Sequence, residues 1–522
     1  MARADFKKFY NRGRQLAQKN RFSDAIAAFE TALEVKPGDP DTIFQLGNMS
    51  KAMHFYDMAI KWYDVASSLK PDSIEIAFNR AHALQLTGRN NEALQAYADV
   101  APLMHSDPML WNNLGTLYQQ MSLTADAIDA LERAVSLKPA YYDAWNNLGL
   151  SYFIARTVPR HAGKWTEAFE KAERGYAKDP HFHVNRATCY FWDGYYSKGW
   201  ADYAFRHDPK IKSSVKYDHT IPWWKGEDLT GKTILIGEEQ GIGDQITFIS
   251  AVADIAATAK KVIVEVNPKI ISLVQRSLPN VDVIKAKAET IDLKRHHAYD
   301  WLTEPVDFFA PLGDAFYYSK PSLDTFRAKK PFLIADPALK KNWAERLLKL
   351  NTKPKVGISW RSSKMTGERQ GGYFDLEMLL PFLEKMSDFQ FVNIQYGDCT
   401  DELAAMPKRA DGTDLIISYA DLDLFDDIEG TAALIESLDF VISVRNTQAC
   451  FAGGLGKKTI TYHGSFMQFG RHYTDPVYPY LLATYPHENE LPILTQLENA
   501  LCHFDTTYHL CEQQDETTLA AL

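Results

Sequence analysis

A spacing of 34 residues governs positions 1–206 and limits what this stretch can fold into. Pro37, Pro71 and Pro139 are separated by 34 and by twice 34, and Gly13 and Gly47, like Gly115 and Gly149, by 34. Small residues recur at Ala25, Ala59, Ala93 and Ala127, and bulky ones at Phe29, Tyr63, Tyr97 and Leu131. A unit of that length holds two helices and a turn, and it cannot bury its apolar face alone, so the expectation is a stack of helix pairs. The small residues are expected to let the two helices of a unit approach, and the bulky ones to fill the gap between neighbouring units.

The fourth unit, Trp111-Asn-Asn-Leu-Gly-Thr-Leu-Tyr118 followed by Ala127, Ala134 and Pro139, resembles the tetratricopeptide repeat. A fifth begins at Trp145-Asn-Asn-Leu-Gly149 and carries a loop, Arg156 to Lys164, between its helices; a sixth, Asn185 to Arg206, is degenerate and is expected to cap the stack. Asn11, Gln45, Asn79, Asn113 and Asn147 share one repeat position, on the first helix of each unit. First helices line the concave face of such solenoids, and an amide offers both a donor and an acceptor. A ladder of them suits an extended acceptor peptide; the competing reading is that these amides bridge neighbouring helices.

Composition narrows the partners. The 522 residues carry a net charge of -10, which argues against a nucleic-acid-binding surface. No run of about 18 apolar residues predicts a membrane span. The N-terminus shows no apolar signal core, and five scattered cysteines without a CxxC pair fit a reducing cytoplasm and no structural metal.

Beyond the repeats, positions 207–232 read as a linker in which Pro222 and Gly226 flank the paired Trp223 and Trp224. The next stretch, Thr233-Ile-Leu-Ile-Gly-Glu-Glu-Gln-Gly-Ile-Gly-Asp-Gln-Ile-Thr-Phe248, reads as a buried strand, a glycine turn and a helix opening near Asp244. Such a turn lies at the carboxyl end of a strand, where α/β folds bind ligands, and Gly241 and Gly243 would let backbone approach one closely. Strands are predicted at Ile234–Gly237, Val262–Val266 and Val281–Ile284, with one helix from Gln245 to Ala259; strand–helix–strand at that spacing implies parallel pairing. Phe308 to Leu312 is too short an apolar segment to assign.

Several stretches, taken in order, resemble bacterial tetratricopeptide proteins with a C-terminal glycosyltransferase domain related to the heptosyltransferases. These are Gly199-Trp200, Pro222-Trp223-Trp224-Lys-Gly226, Leu229-Thr-Gly-Lys232, Glu239-Gln-Gly-Ile-Gly-Asp244, Val356-Gly-Ile-Ser-Trp360, Thr431-Ala-Ala-Leu-Ile-Glu-Ser-Leu-Asp439 and Ala452-Gly-Gly-Leu-Gly-Lys457. The resemblance implies the glycosyltransferase B fold: two Rossmann-like halves, here 233–352 on the acceptor side and 353–522 on the donor side, facing each other across a cleft. Peptide-binding repeats precede such a fold in O-GlcNAc transferases and in bacterial flagellin glycosyltransferases. It also implies that Asp244 is the base, since heptosyltransferases use the Asp of their Gly-Asp turn. The competing reading of Asp244 is a helix cap; Glu238 and Glu239 are weaker candidates.

For the donor, Trp360, Arg361 and Lys364 follow a strand, and the two cations could meet phosphate charge, as could nearby Arg369. Arg445, Asn446 and Thr447 open a helix whose N–H groups suit an anion. Gln395, Glu429 and Thr431 are placed to hold the nucleotide, with Asp427 as an alternative, while His463, Arg471 and His472 would touch donor or acceptor. The relatives usually carry Val-Asp-Thr and a His where this chain has Val444-Arg445-Asn446 and Cys450, a change of about two charge units beside the donor. Either the donor is more anionic, such as a CMP-linked nonulosonic acid, or the site has lost catalysis. Cys450 is read as packing rather than as a nucleophile. The expectation is a cytoplasmic, inverting, metal-independent protein O-glycosyltransferase with no cofactor beyond its nucleotide-sugar donor, acting on a protein such as flagellin. The alternatives are a non-catalytic adaptor or chaperone, and transfer to a lipopolysaccharide-type glycolipid.

Overall fold

Each 34-residue period becomes a pair of helices. The computed structural model describes residues 2–156, 158–291, 294–321, 325, 330–362, 374–462, 475, 477–478, 480–484 and 493–504, and its contacts divide the chain into units 1–182 and 183–522. In the first unit the pairs run Ala2–Gln18 with Phe22–Val35, Pro40–Ala52 with Tyr56–Leu69, Ile74–Leu86 with Asn90–Met104, Pro108–Gln120 with Thr124–Leu137, and Tyr142–Ile154 with Lys164–Tyr176. Asp39 and Asp107 cap helices that have proline at their start, because their carboxylates accept from otherwise unpaired first-turn N–H groups.

The bulky residues fill a different gap from the one expected. A Cβ on Gly47 would lie 2.5 Å from the Tyr63 ring, and one on Gly115 2.5 Å from Leu131. Glycine on the first helix therefore receives the bulky side chain of the second helix in the same repeat. In the fifth repeat the loop displaces that partner, and Gly149 faces Phe169.

The sixth repeat does not end the first unit: the division falls after Phe182, within the helix Pro180–Trp192. Trp200, on the helix Tyr196–Tyr203, is buried against Tyr317 at 5.2 Å and near Phe248 and Phe316, so this helix packs as part of the α/β unit. The expected boundary at 206 moves accordingly. Residues 207–232 are likewise more than a linker. They contribute β1 (Val215–Asp218), and Pro222 and Trp224 exchange backbone hydrogen bonds with Phe309.

Two parallel sheets form the α/β unit. The first holds β2 (Thr233–Gly237), β3 (Lys261–Val266), β4 (Asp282–Lys285) and β7 (Phe308–Pro311), in the order β4-β3-β2-β7. A small sheet adds β5 (Ala288–Ile291) and β6 (Lys294–Ala298), in the order β1-β6-β5. The second large sheet holds β8 (Lys355–Ser359), β9 (Gln390–Asn393), β10 (Ile416–Ile417), β11 (Phe440–Val444), β12 (Lys458–Tyr462) and β13 (Leu481–Thr484), in the order β10-β9-β8-β11-β12-β13. In both sheets the chain winds outward in one direction and then reverses, between β2 and β7 and between β8 and β11. These are the switch points beyond which open α/β sheets bind ligands.

The single helix expected from Gln245 to Ala259 is two, Ile242–Ile249 and Val252–Thr258, broken where Ser250 Oγ bonds back to the Thr247 carbonyl. The halves also meet earlier than residue 352. Helix Pro337–Leu348 packs on helix Ile428–Ser437: Lys340 pairs with Glu436, and Trp343 stacks edge-on to Tyr419. That helix belongs with the second sheet.

Candidate functional site

β2 is buried along its whole length and delivers Glu238 and Glu239 into the interior, where each is committed to partners. Glu238 accepts from Gln245 Nε2 at 2.8 Å and lies 3.0 Å from Arg295 and 3.3 Å from His297. Glu239 takes both arms of Arg206, at 2.5 and 3.1 Å, and the Gly313 amide at 3.2 Å. Burial alone would raise the Glu239 carboxyl, but Arg206 and His207 hold it below the usual carboxylate range. Both acids are buried and face basic side chains.

Asp244 differs. It sits in the first turn of helix Ile242–Ile249, half-buried, and its carboxylate receives the Gly241 amide at a long 3.4 Å. The cap that competes with a catalytic role is present but weak. The turn's conformational demand does not fall on its glycines: Gly241 has φ −84, and the left-handed residue is Gln240, with φ 65. Gly243 does permit a close approach, but to protein. A Cβ there would lie 3.4 Å from Cys450 Sγ and 3.5 Å from Thr447 Oγ1, on helix Thr447–Gly454. Thr247 and Tyr478 join hydroxyls at 2.6 Å beside it. The Asp244 turn therefore rests directly on the helix that starts at the second sheet's switch point. Cys450 is half-buried there, and chiefly burial, with Asp244 among the nearby charges, pushes its thiol up to about 11, which disfavours the thiolate form.

The donor-side residues are gathered where expected, yet most are spent on one another. Trp360 is fully buried and donates its indole N–H to Glu402 at 3.1 Å, so it is core. Arg361 pairs with the same Glu402 at 2.9 Å and donates to the Asp398 carbonyl at 2.6 Å. Gln395 is buried, its Oε1 accepting from Ser359 Oγ and from the Trp360 and Arg361 amides. Asn446 caps the Gln448 and Ala449 amides and donates to Ser359 Oγ at 2.8 Å and the Arg361 carbonyl at 3.2 Å, so it fills the anion position itself. Arg445 lies 3.2 Å from Asp475, Glu429 meets Arg276 at 2.7 Å, and Thr431 is buried inside its helix. Asp427 is the cap of that helix. Arg361, expected to meet phosphate charge, is thus paired with Glu402, and Glu429, expected at the ribose, with Arg276. Thr447 lines the contact with Gly243. Lys364, Arg369, His463, Arg471 and His472 lie outside the described residues.

The amide ladder also divides. Asn79 accepts from Lys51 at 2.7 Å and Asn147 donates to Asn112 at 3.0 Å, so these two amides bridge neighbouring first helices, while Asn113 is buried. Asn11 is exposed and Gln45 half-buried. Sequence reasoning missed Arg206, Arg295, His297 and Gln245, the residues that hold the two glutamates; only the pairing of opposite charge at the carboxyl end of β2 would have signalled them. Among the described residues, no group of three or more His, Cys, Asp or Glu is placed to hold a metal ion, and no helix is long and apolar enough to cross a membrane.

A tetratricopeptide-repeat family model matches residues 112–181. The helical unit is a tetratricopeptide-type solenoid. Its fold supports a protein-interaction role. MamA protein, of known structure, shares 24% identity at a TM-score of 0.30, over 34% of this chain and 95% of its own. YrrB, a TPR protein with an unusual peptide-binding site, shares 18% at 0.28, over 33% and 86%. Similarity beyond the solenoid comes from Protein FlbA of Caulobacter vibrioides, 27% identical over 466 residues, which are 88% of this chain and 77% of that protein.

Proposed function

We propose that the chain is a protein O-glycosyltransferase of the glycosyltransferase B type. The solenoid holds an acceptor protein, with flagellin the class that the sequence resemblance suggests, and the α/β unit transfers a sugar from a nucleotide-linked donor. One observation carries this reading: Asp244, half-buried in the first turn of the helix that follows β2, stands where that turn abuts the helix at the switch point of the other sheet. In the reaction, Asp244 accepts the proton of a Ser or Thr hydroxyl as its oxygen bonds to the anomeric carbon. The bond from that carbon to phosphate breaks, and the nucleotide leaves with the electron pair. A positioned base of this kind contributes roughly 100- to 10,000-fold. One-step displacement inverts the anomeric centre.

A second reading is favoured by the compensated charges of Arg361, Arg445 and Glu429: an adaptor that keeps the α/β fold as a scaffold. Calorimetry with CMP-, UDP-, GDP- and ADP-linked sugars separates the two, since the adaptor binds none. For the enzyme, the test is the mass added to a co-expressed acceptor. Asp244→Asn is expected to abolish the addition while donor binding persists; retained turnover would remove Asp244 from the role.

A further inference from the structure

The degenerate sixth repeat ends beside the turn that bears Asp244, and its polar residues converge on that turn. Gln240 donates its side-chain amide to Tyr203 Oη, on helix Tyr196–Tyr203. Arg206 grips Glu239 at 2.5 and 3.1 Å and Asp314 at 2.5 Å, and His207 lies 3.3 Å from Asp314. From the other side, Arg295 Nη1 and Gln245 Nε2 each reach the Gln240 carbonyl at 3.3 Å. Between these supports Gln240 adopts φ 65, a backbone conformation that side-chain-bearing residues adopt uncommonly. Gly241, which adopts left-handed φ at no cost, stands next to it with φ −84. The sequence thus places the demanding conformation on the residue that has a side chain to be gripped.

We infer that Tyr203 and Arg206, from the last repeat, are positioning residues: they fix Glu239 and Gln240, and through the Gln240 backbone they set where Asp244 stands. The sixth repeat is then a support for the candidate site as well as the end of a stack. This deepens the transferase reading and rests on it for its catalytic meaning, but the mechanical claim is testable without activity.

The experiment is amide hydrogen exchange on the full chain, comparing wild type, Tyr203→Phe, Arg206→Gln and Arg206→Lys. Tyr203→Phe removes one hydroxyl and so guards against Arg206→Gln failing to fold. The expected result is at least tenfold faster exchange across residues 238–245 in Tyr203→Phe and Arg206→Gln, less in Arg206→Lys, with β8, β11 and β12 unchanged. In a Gln240→Gly background, where the left-handed backbone needs no support, Tyr203→Phe should have no further effect. Unchanged exchange at 238–245, or acceleration spread evenly over both sheets, overturns the proposal. With the CMP-, UDP-, GDP- and ADP-sugar panel, Tyr203→Phe should lower kcat and leave donor KM unaltered. A wild-type chain that transfers from none of these donors sinks the transferase reading, while the exchange result still decides this one.

Discussion

Glu429 and Arg276, a carboxylate beneath the second sheet and a guanidinium beneath the first, meet at 2.7 Å. Close by, Lys269 meets Asp426 at 2.5 Å and lies 3.8 Å from the Phe425 ring centroid. A residue read from sequence as a ribose ligand is therefore part of a charged seam between the halves. Arg276 and Glu429 each keep about a quarter of their side-chain surface exposed, so solvent screens the pair. A double-mutant cycle with Arg276→Ala and Glu429→Ala, read from urea midpoints, should give a coupling of about 1 kcal/mol at low salt. In 1 M salt, where the screening length is about 3 Å, the coupling should shrink. A coupling of zero at low salt would mean that the seam adds nothing to holding the halves together.

The solenoid makes a prediction about shape. A Cβ on Gly115 would sit 2.5 Å from Leu131 Cγ, and Leu131 is fully buried. Gly115→Ala should therefore overpack the fourth repeat and cost about 1–3 kcal/mol, despite the better helix propensity of alanine. Leu131→Ala alone should cost about 2–5 kcal/mol through the cavity it leaves. The double variant should cost less than the sum, because the added methyl enters that cavity. Strict additivity would show that the two positions do not touch.

These two cases separate what was legible in the sequence from what was not. Helix pairing in the repeats could be read because the same small and bulky residues recur at one spacing, and the chemistry of Gly115 and Leu131 is local to one repeat. β2, β8 and β11 could be read as apolar runs closed by glycine or charge. β7 was missed because Phe308-Phe-Ala-Pro311 is only four residues long and mostly buried, leaving no alternation to read. The sixth repeat was assigned by period to the solenoid, but the face of Trp200 that decides its packing has its partners beyond position 240. The protein partners of the candidate site residues were not legible for the same reason. Arg361 finds Glu402 41 positions away, and Arg276 finds Glu429 153 away, so compensation of a charge is a property of the fold and not of the motif.

The buried ion cluster behind β2 fixes a pH dependence. Burial acts to keep His297 neutral, but Glu238 at 3.3 Å and Glu265 at 3.6 Å raise its pKa above the ordinary value. Arg295 faces the same Glu238, Tyr299 donates to Glu265 at 2.8 Å, and the Tyr217 ring covers the imidazole. A raised pKa in the folded state means that folding favours the protonated ring. Its contribution is complete below the unfolded value of about 6.5 and is lost as pH rises through the folded value. The stability gap between wild type and His297→Gln should accordingly narrow from pH 6 toward pH 9 in urea titrations. A gap that widens with pH would show that the ring is held neutral.

Asn446 offers the sharpest test of whether the second switch point is a latch. Its Oδ1 accepts from Ser443 Oγ at 3.0 Å and caps the Gln448 amide at 3.0 Å, while its Nδ2 reaches across to Ser359 Oγ at 2.8 Å and the Arg361 carbonyl at 3.2 Å. One buried side chain thus ties the ends of β8 and β11 and caps the helix that follows β11. Asn446→Ala removes both functions and should cost about 2–3 kcal/mol, combining a lost cap with buried groups left unpaired. Asn446→Asp keeps the acceptor that caps the helix but replaces the donor with an oxygen facing the Arg361 carbonyl. It should retain the helix yet loosen the β8–β11 ends, seen as faster amide exchange at 359–361 with little change at 448–450. If Asp and Ala behave alike at both places, cap and latch are one element; if Asp behaves like Asn at both, the bridge to β8 contributes nothing.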